Sequence, residues 1–264
     1  MIAIDALTKR YKKNRGVFDL SFAVKKGETF GYLGPNGAGK TTTIRHLMGF
    51  VKPDSGSCSV NGLDCWRDAA KIQRFLGYIP GEIAFFNGMK GDAFLDLISE
   101  MRGIKQPPLK KMLIERFELD TKVTIRKMSK GMKQKLGIIT AFMHDPAVLI
   151  LDEPSSGLDP LMQNRFVELV EEEKRKGKTI LMSSHVFEEV TRTCDRTGII
   201  RDGKLVAVEN VHSLNAAQQK SFIVTLEAAS DADVLKKRDC KSPINNKHAS
   251  KWPWPVMLTI LSKR

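Results

Sequence analysis

The chain has 264 residues, 42% of them hydrophobic, and a formal net charge of +13, which suits one large domain with a smaller appendage. No stretch approaches the roughly 18–20 apolar residues that a membrane-spanning helix needs, and the first residues lack the charge order of a signal peptide. These observations predict a cytoplasmic protein.

The basic residues are scattered rather than concentrated in one segment. Clusters occur near the start (KRYKKNR), in the middle (KQPPLKK) and near the end (LKKRDCK). They are not interleaved with aromatic residues, as many single-stranded nucleic-acid sites are. We therefore expect no nucleic-acid partner, and we attribute the charge to phosphate ligands and a surface beside lipid headgroups. The four cysteines show no CxxC spacing, so neither a zinc site nor a disulfide framework is indicated.

Residues 1–33 predict several strands. The segments MIAIDALTKRY and GVFDLSFAV alternate apolar and polar residues, which is typical of half-buried strands. The segment KKGE predicts a turn, and a short strand-like run, ETFGYLG, then ends in glycine.

The next segment, GPNGAGKTT, fits the pattern G-x-x-x-x-G-K-[ST]. Such a loop surrounds the phosphates of a nucleotide with bare backbone N–H groups. A helix follows, with Ile44, Leu47 and Met48 at helical spacing, and its positive end faces the phosphates. Lys40 is expected to neutralise the β- and γ-phosphates, and the Thr41 hydroxyl to hold Mg²⁺. The phosphate-binding residues would be Gly34, Pro35, Asn36, Gly37, Ala38, Gly39, Lys40, Thr41 and Thr42.

The central part of the chain predicts a helical insertion within an α/β core. KPDSGSCSVNG predicts a turn around a short strand, and FLGYIP predicts another strand that ends at Pro80. From Gly81 to Asp145 the pattern is helical, and DAFLDLISEMRG places Phe94, Leu97, Ile98 and Met101 on one face. PPLKKMLIERF predicts a second helix, and SKGMKQKLGIITAFM a third that begins at an N-cap serine.

Two later strands end in candidate catalytic residues. AVLILDEPSSG begins with a continuous apolar run, which suits a central parallel strand. Because ligands bind at such strand ends, we expect Asp152 to contact Mg²⁺ and Glu153 to act as general base toward the attacking water. The next apolar strand, TILMSSH, ends at His185, which can hydrogen-bond a phosphate oxygen and that water.

The helix that begins at Ser129 predicts a second anion site. Its first turn offers a serine hydroxyl, free N–H groups, Gly131 and nearby lysines, by the same logic as the phosphate loop. Two such helix ends for one nucleotide make sense if Ser129 and Gly131 bind the γ-phosphate of a nucleotide held by a partner subunit.

The carboxyl-terminal third gives weaker signals. VFEEVTRTC predicts a helix, and GIIRDGKLVAV predicts a hairpin around Asp202 and Gly203. SFIVTLEA could be a strand and DADVLKKR a short helix. The last stretch contains two Trp-Pro pairs and no clean periodicity, so we expect an irregular tail.

In these motifs the chain resembles the ATPase subunit of an ABC transporter. The match is carried by GPNGAGKTT, MSKGMKQK, LILDEPSSGLDP and SSH, in that order, and covers roughly residues 1–210. The SKGMKQ form and the YIPGE segment resemble subunits that serve drug, peptide or antibiotic exporters of the ABC-2 type.

The resemblance implies an α/β fold of the P-loop NTPase (RecA-like) type. Its parallel-sheet core carries an N-terminal antiparallel β subdomain and an inserted helical subdomain. The implied domains are an ATPase domain over 1–212, with the helical part at about 82–145, and a partly irregular appendage over 213–264.

The resemblance also implies further site residues and partners. Tyr11 would stack on adenine, and Asp159 would lie in the loop that connects two nucleotide sites. Two subunits, identical or different, would bind two ATP molecules at their interface and act on an integral membrane permease at the cytoplasmic face. The alternative is a soluble ABC ATPase that acts on the ribosome or on DNA.

One departure concerns the position after the FLGYIP strand. The family usually has a glutamine there, which ligates Mg²⁺ and senses the membrane subunit; this chain has Gly81, followed by Glu82. Phe85 and Phe86 lie where the family docks its membrane subunit, and they could form an apolar docking patch or pack in the core.

Overall fold

The structure is a computed structural model that describes residues 1–11, 15–211, 213, 220–225 and 257–262. The strands are β1 (Ile2–Arg10), β2 (Gly16–Val24), β3 (Thr29–Leu33), β4 (Ser55–Val60), β5 (Leu63–Asp64), β6 (Leu76–Ile79), β7 (Val148–Asp152), β8 (Thr179–Ser184), β9 (Arg196–Arg201), β10 (Lys204–Asn210), β11 (Lys220–Thr225) and β12 (Met257–Ser262). The helices are α1 (Lys40–Leu47), α2 (Ala69–Phe75), α3 (Gly91–Met101), α4 (Lys110–Arg116), α5 (Lys130–Phe142), α6 (Pro160–Arg175) and α7 (Phe187–Thr193), with a 3₁₀ turn at Ile125–Lys127.

A six-stranded sheet forms the centre of the first of two compact units, Met1–Val211. Its order is β10-β9-β3-β8-β7-β6, with parallel pairing throughout except between β10 and β9. Every residue of β7 and β8 is buried, which explains their continuous apolar runs. Along β7, Leu149 and Leu151 face one apolar core, whereas Val148 and Ile150 face another.

A second sheet, antiparallel and four-stranded in the order β2-β1-β4-β5, covers one of these cores. Alternate residues of β2 are buried, including Val17, Leu20 and Val24. They pack in the same core as Ile44 and Leu47 of α1. The phosphate loop and its helix are therefore supported from the side of the antiparallel sheet.

The segment between β6 and β7 contributes helices α3, α4 and α5 to the other core, together with α6. Phe94 of α3, Leu113 of α4 and Leu136 of α5 are buried there. Met101, which the sequence analysis placed on one face with Phe94, does not share its burial, because its side chain is 75% exposed at the end of α3. With these elements the predicted fold class, an α/β core with an antiparallel β sheet and inserted helices, is confirmed.

Side-chain caps define where α5 and α6 begin. Ser129 Oγ accepts a hydrogen bond from the Met132 N–H (3.2 Å) at the start of α5. Asp159 Oδ1 accepts one from the Met162 N–H (3.0 Å) at the start of α6, and Pro160 occupies the first helical turn. Asp159 therefore has a structural task, since an N-cap contributes about 1 kcal/mol to helix stability.

The second unit, His212–Arg264, contains strands β11 and β12, which pair antiparallel with Phe222 opposite Ile260. The predicted strand SFIVTLEA is confirmed within β11. The expectation of an irregular ending was wrong for Met257–Ser262, which follows the Trp-Pro pairs and forms β12. The predicted helix at DADVLKKR lies outside the described residues. Helix α2 was not predicted at all.

Within the residues that the structure describes, no helix combines the length and the apolar character needed to cross a membrane.

Candidate functional site

The parallel register of β3, β7 and β8 brings the predicted motifs to one edge of the sheet. The phosphate loop follows β3, Asp152 ends β7, and His185 follows β8. Asp152 pairs directly with Ser183 across the β7–β8 ladder. Because these strands run in the same direction, their carboxyl ends meet, as at the ligand sites of other open α/β sheets.

The phosphate loop needs glycine for both conformation and space. Gly39, immediately before α1, has φ of 114°, a conformation that residues with a Cβ rarely adopt. At Gly34 a Cβ would lie 2.4 Å from the Ile200 carbonyl oxygen, which is too short for a nonbonded contact between carbon and oxygen. The loop backbone leads directly into α1, where the first N–H groups have no hydrogen-bond partner within the helix.

Lys40 is held by oxygen atoms on several sides. Its Nζ donates to the carbonyl oxygens of Gly34 (2.7 Å) and Pro35 (3.3 Å). The same atom lies 3.1 Å from Glu153 Oε1. This last contact is an ion pair without hydrogen-bond geometry, and Glu153 Oε1 has no hydrogen-bond partner among the described residues. The Lys40 side chain is only 6% exposed, so its charge acts on groups within the site rather than on bulk water.

Asp152 is fully buried at the end of β7. Its Oδ1 accepts a hydrogen bond from Ser183 Oγ (2.5 Å), whereas Oδ2 has no partner within the described part of the chain. Burial raises the pKa of the neighbouring Tyr78 to about 12, and the Asp152 carboxylate adds to that shift. A buried carboxylate oxygen without a partner is costly, so Oδ2 is available to a ligand that reaches the strand end.

Glu153 and His185 are in direct contact. Glu153 Oε2 lies 2.6 Å from His185 Nδ1, and the Glu153 N–H donates to Ser183 Oγ (3.1 Å). Glu153 has φ of 49°, a left-handed conformation that is uncommon for residues other than glycine. The turn after β7 therefore places the Glu153 carboxylate between Lys40 and His185.

A cleft of about 830 Å³ opens above the phosphate loop. Of the predicted residues, those lining it are Tyr11, Asn36, Gly37, Ala38, Gly39, Lys40, Thr41, Thr42 and Glu153. Tyr11 is 47% exposed, so its ring is accessible at the cleft. The cleft has room for a nucleotide, which agrees with the predicted phosphate-binding role of the loop.

The sequence analysis missed several residues of this site. Arg15, Gly16, Asp202 and Gly203 also line the cleft, and the Gly203 N–H donates to the Ala38 carbonyl (2.9 Å). The hairpin was predicted, but no local signal indicates that its turn contacts the phosphate loop. The sequence analysis assigned no role to Ser183 beyond its place in the SSH motif.

Other predicted residues do not line this cleft. Ser129 and Gly131 lie at the start of α5 and Asp159 at the start of α6. Helix α5 nevertheless contacts the catalytic turn, because Gln134 Nε2 donates to the Pro154 carbonyl (2.7 Å). Gly34 and Pro35 contribute the carbonyl oxygens that hold Lys40.

Gly81 lies against Asp152. A Cβ at this position would lie 3.0 Å from Asp152 Oδ2, and Gly81 itself is exposed. Gly81 therefore places no side chain beside this buried carboxylate oxygen.

Comparison with known proteins agrees with this geometry. The family model described as "ABC transporter" matches residues 17–156. The chain is 38% identical over 213 residues to the linearmycin resistance ATP-binding protein LnrL of Bacillus subtilis (strain 168), covering 79% of this chain and 68% of the relative. It is 37% identical to the bacitracin transport ATP-binding protein BcrA of Bacillus licheniformis, covering 87% and 76%.

A solved structure described as an ATP-binding subunit of an ABC transporter superposes with a TM-score of 0.75 at 31% identity, covering 81% of this chain and 92% of the other. The chain belongs to the ABC transporter family. It is an ATP-binding subunit with ATPase activity, as the order of its motifs predicted.

The position of Lys40 leads to a binding prediction. Lys40→Ala removes the buried ammonium that faces the cleft, and charged hydrogen bonds of this kind contribute about 1.5–3 kcal/mol. We therefore expect ATP affinity to fall about 10- to 100-fold, measured by titration calorimetry. Lys52→Ala, at an exposed lysine, is the control. Unchanged ATP affinity in Lys40→Ala would contradict the phosphate-binding role.

Proposed function

We propose that this chain is the ATP-hydrolysing subunit of an exporter, which binds an integral membrane permease at the cytoplasmic face and powers release of an antibiotic or similar small molecule. The relatives named for linearmycin resistance and bacitracin transport support this class. In this proposal residues 1–212 form the ATPase domain, with the helical part at about 82–145, and residues 213–264 form an appendage.

The contact between Glu153, Lys40 and His185 carries the catalytic part of the proposal. Water attacks the γ-phosphorus of bound ATP, the bond from this phosphorus to the β–γ bridging oxygen breaks, and ADP and phosphate are the products. Lys40, which is ion-paired with Glu153, turns its charge toward the phosphates and releases the carboxylate. Glu153 then accepts the proton of the attacking water, and His185 holds Glu153 through Nδ1.

Thr41 and Asp152 would hold Mg²⁺ in this arrangement. The donor set fits, because Mg²⁺ prefers oxygen ligands and keeps several waters. Asp152 Oδ2 is a buried carboxylate oxygen without a partner, and Thr41 lines the cleft. Gly81 has no side chain and so adds no ligand.

Glu153→Gln tests the general base. The amide has the same shape but accepts no proton, so we expect ATP binding to persist while turnover falls about 100-fold or more. Steady-state hydrolysis and nucleotide titration measure the two quantities. Glu209→Gln, at an exposed position, is the control. Turnover close to that of the unmodified protein would exclude Glu153 as the base.

We further propose that two subunits clasp ATP between the phosphate loop of one and the start of α5 of the other. The support is that Ser129 and Gly131 start a helix yet do not line the cleft of their own subunit. A helix N-terminus with an exposed serine attracts an anion, and a partner's γ-phosphate supplies one.

Ser129→Asp tests this arrangement without removing the cap of α5, since aspartate caps helices as well as serine. Its negative charge would repel the partner's phosphates, so we expect ATP-driven dimers to disappear while monomers still bind ATP. Size-exclusion chromatography with ATP, in the Glu153→Gln background, measures this. Ser55→Asp, at an exposed position of β4, is the control. Undiminished dimers in Ser129→Asp would refute the cross-subunit contact.

The segment after Gly81 is the proposed docking site for the permease. Phe85 packs on Phe94, with ring centroids 4.9 Å apart, whereas Phe86 is 61% exposed. An exposed aromatic side chain supported by a packed neighbour is typical of a binding hot spot.

We expect Phe86→Ser to lose co-purification with the permease from detergent extracts, because the exposed ring is removed, while ATP hydrolysis by the free subunit is unchanged. Met101→Ser, at another exposed apolar side chain, serves as control and keeps the permease bound. Equal recovery of the permease with both variants would move the docking site elsewhere.

A further inference from the structure

Helix α7 carries a buried carboxyl group that the catalytic scheme above does not use. Glu189, in its first turn, is only 8% exposed. Its Oε2 accepts a hydrogen bond from Ser184 Oγ (2.7 Å), and its Oε1 has no hydrogen-bond partner among the residues that the structure describes. Burial raises the pKa of Glu189, whereas the hydroxyls of Ser184 and Ser155 lower it. Burying a carboxyl group is costly, whereas the side chain of the adjacent Glu188 is exposed to solvent.

The partner of Glu189 is the residue immediately before His185. Ser184 Oγ also accepts a hydrogen bond from the Val186 N–H (2.9 Å). The hydroxyl thus joins the chain on both sides of His185, and Glu189 fixes the orientation of that hydroxyl. His185 itself has a side chain that is 51% exposed, so little packing holds it toward Glu153.

Glu189 also lies close to the turn that carries Glu153. The Ser155 hydroxyl, two residues after Glu153, is near enough to lower the Glu189 pKa. The same carboxyl group therefore contacts the segment before His185 and approaches the segment after Glu153. It does not line the nucleotide cleft.

We propose that Glu189 is a positioning residue, which holds His185 against Glu153 through Ser184. The proposal rests on the roles proposed above for Glu153 and His185. The Glu189–Ser184 and His185–Glu153 contacts are both formed within one subunit.

A pair of variants separates hydrogen bonding from packing. Glu189→Gln keeps the size and an acceptor oxygen for Ser184, whereas Glu189→Leu keeps the approximate size and removes both acceptors. Glu188→Leu, on the same turn but exposed, is the matched control. In Glu189→Leu we expect kcat for ATP hydrolysis to fall about tenfold, with KM changed less than about twofold. Glu189→Gln should recover most of kcat.

The second measurement needs no nucleotide. Imidazole ¹⁵N chemical shifts of the full chain report whether His185 Nδ1 is hydrogen-bonded, with the His185→Gln variant providing the assignment. In Glu189→Leu we expect the Nδ1 resonance to move toward that of Glu153→Gln, in which the carboxylate partner is lost. In Glu189→Gln and Glu188→Leu it should stay in place.

Ser184→Ala keeps the test decisive if Glu189→Leu fails to fold, since it leaves Glu189 in place and removes the hydroxyl that donates to Glu189 and accepts from the Val186 N–H. It should show the same loss of kcat and the same resonance shift. Unchanged kcat and an unmoved His185 resonance in either Glu189→Leu or Ser184→Ala would overturn the proposal.

The outcome is distinguishable from failure of the proposed function. If Glu153→Gln abolishes turnover but Glu189→Leu matches Glu188→Leu, the positioning role fails and the catalytic scheme stands. If Glu153→Gln hydrolyses ATP normally, the catalytic scheme fails whatever the resonance of His185 shows.

Discussion

The site depends on compensation of the negative charges of two carboxylates at the end of the buried strand β7. Asp152 is fully buried and Glu153 is largely so, and an unpaired charge there would destabilise the fold by several kcal/mol. Ser183 binds one oxygen of Asp152, while Lys40 and His185 face Glu153. The Lys40 ammonium is shared between compensating Glu153 and the role proposed for it toward phosphate. In the proposed function, these two roles of Lys40 compete with each other.

This competition gives the proposed dimer a physical starting point. Helix α5, whose first turn is proposed to reach the partner's nucleotide, is tied to the catalytic turn by the bond from Gln134 to the Pro154 carbonyl. Pro154 directly follows Glu153. A displacement of α5 on dimerisation would be transmitted through this bond to the backbone next to Glu153, the proposed general base.

Much of this architecture follows from local sequence patterns. The apolar runs of β7 and β8 predict strands buried on both faces, and the glycine loop before α1 predicts a phosphate site. Their approach to one another also follows, since parallel strands end at a common edge. The contacts of Ser183 and Ser184 do not follow, because they depend on the register of β8 against β7 and on how α7 packs. Contact of the Asp202–Gly203 turn with Ala38 likewise requires the completed fold.

The wrong predictions also concern features that depend on the completed fold rather than on local sequence. Met101 has the helical spacing of a core residue, but it is the last residue of α3, where the helix extends past the core. The Trp-Pro pairs correctly argue against a strand at their own positions, yet β12 begins two residues after the last proline and is defined by its pairing with β11. At position 81, by contrast, the sequence alone is informative, because glycine places no side chain beside Asp152 Oδ2. In the proposed function, any signal from the permease to a Mg²⁺ ion held by Thr41 and Asp152 would have to travel through the backbone of this segment and through α5, because position 81 has no side chain.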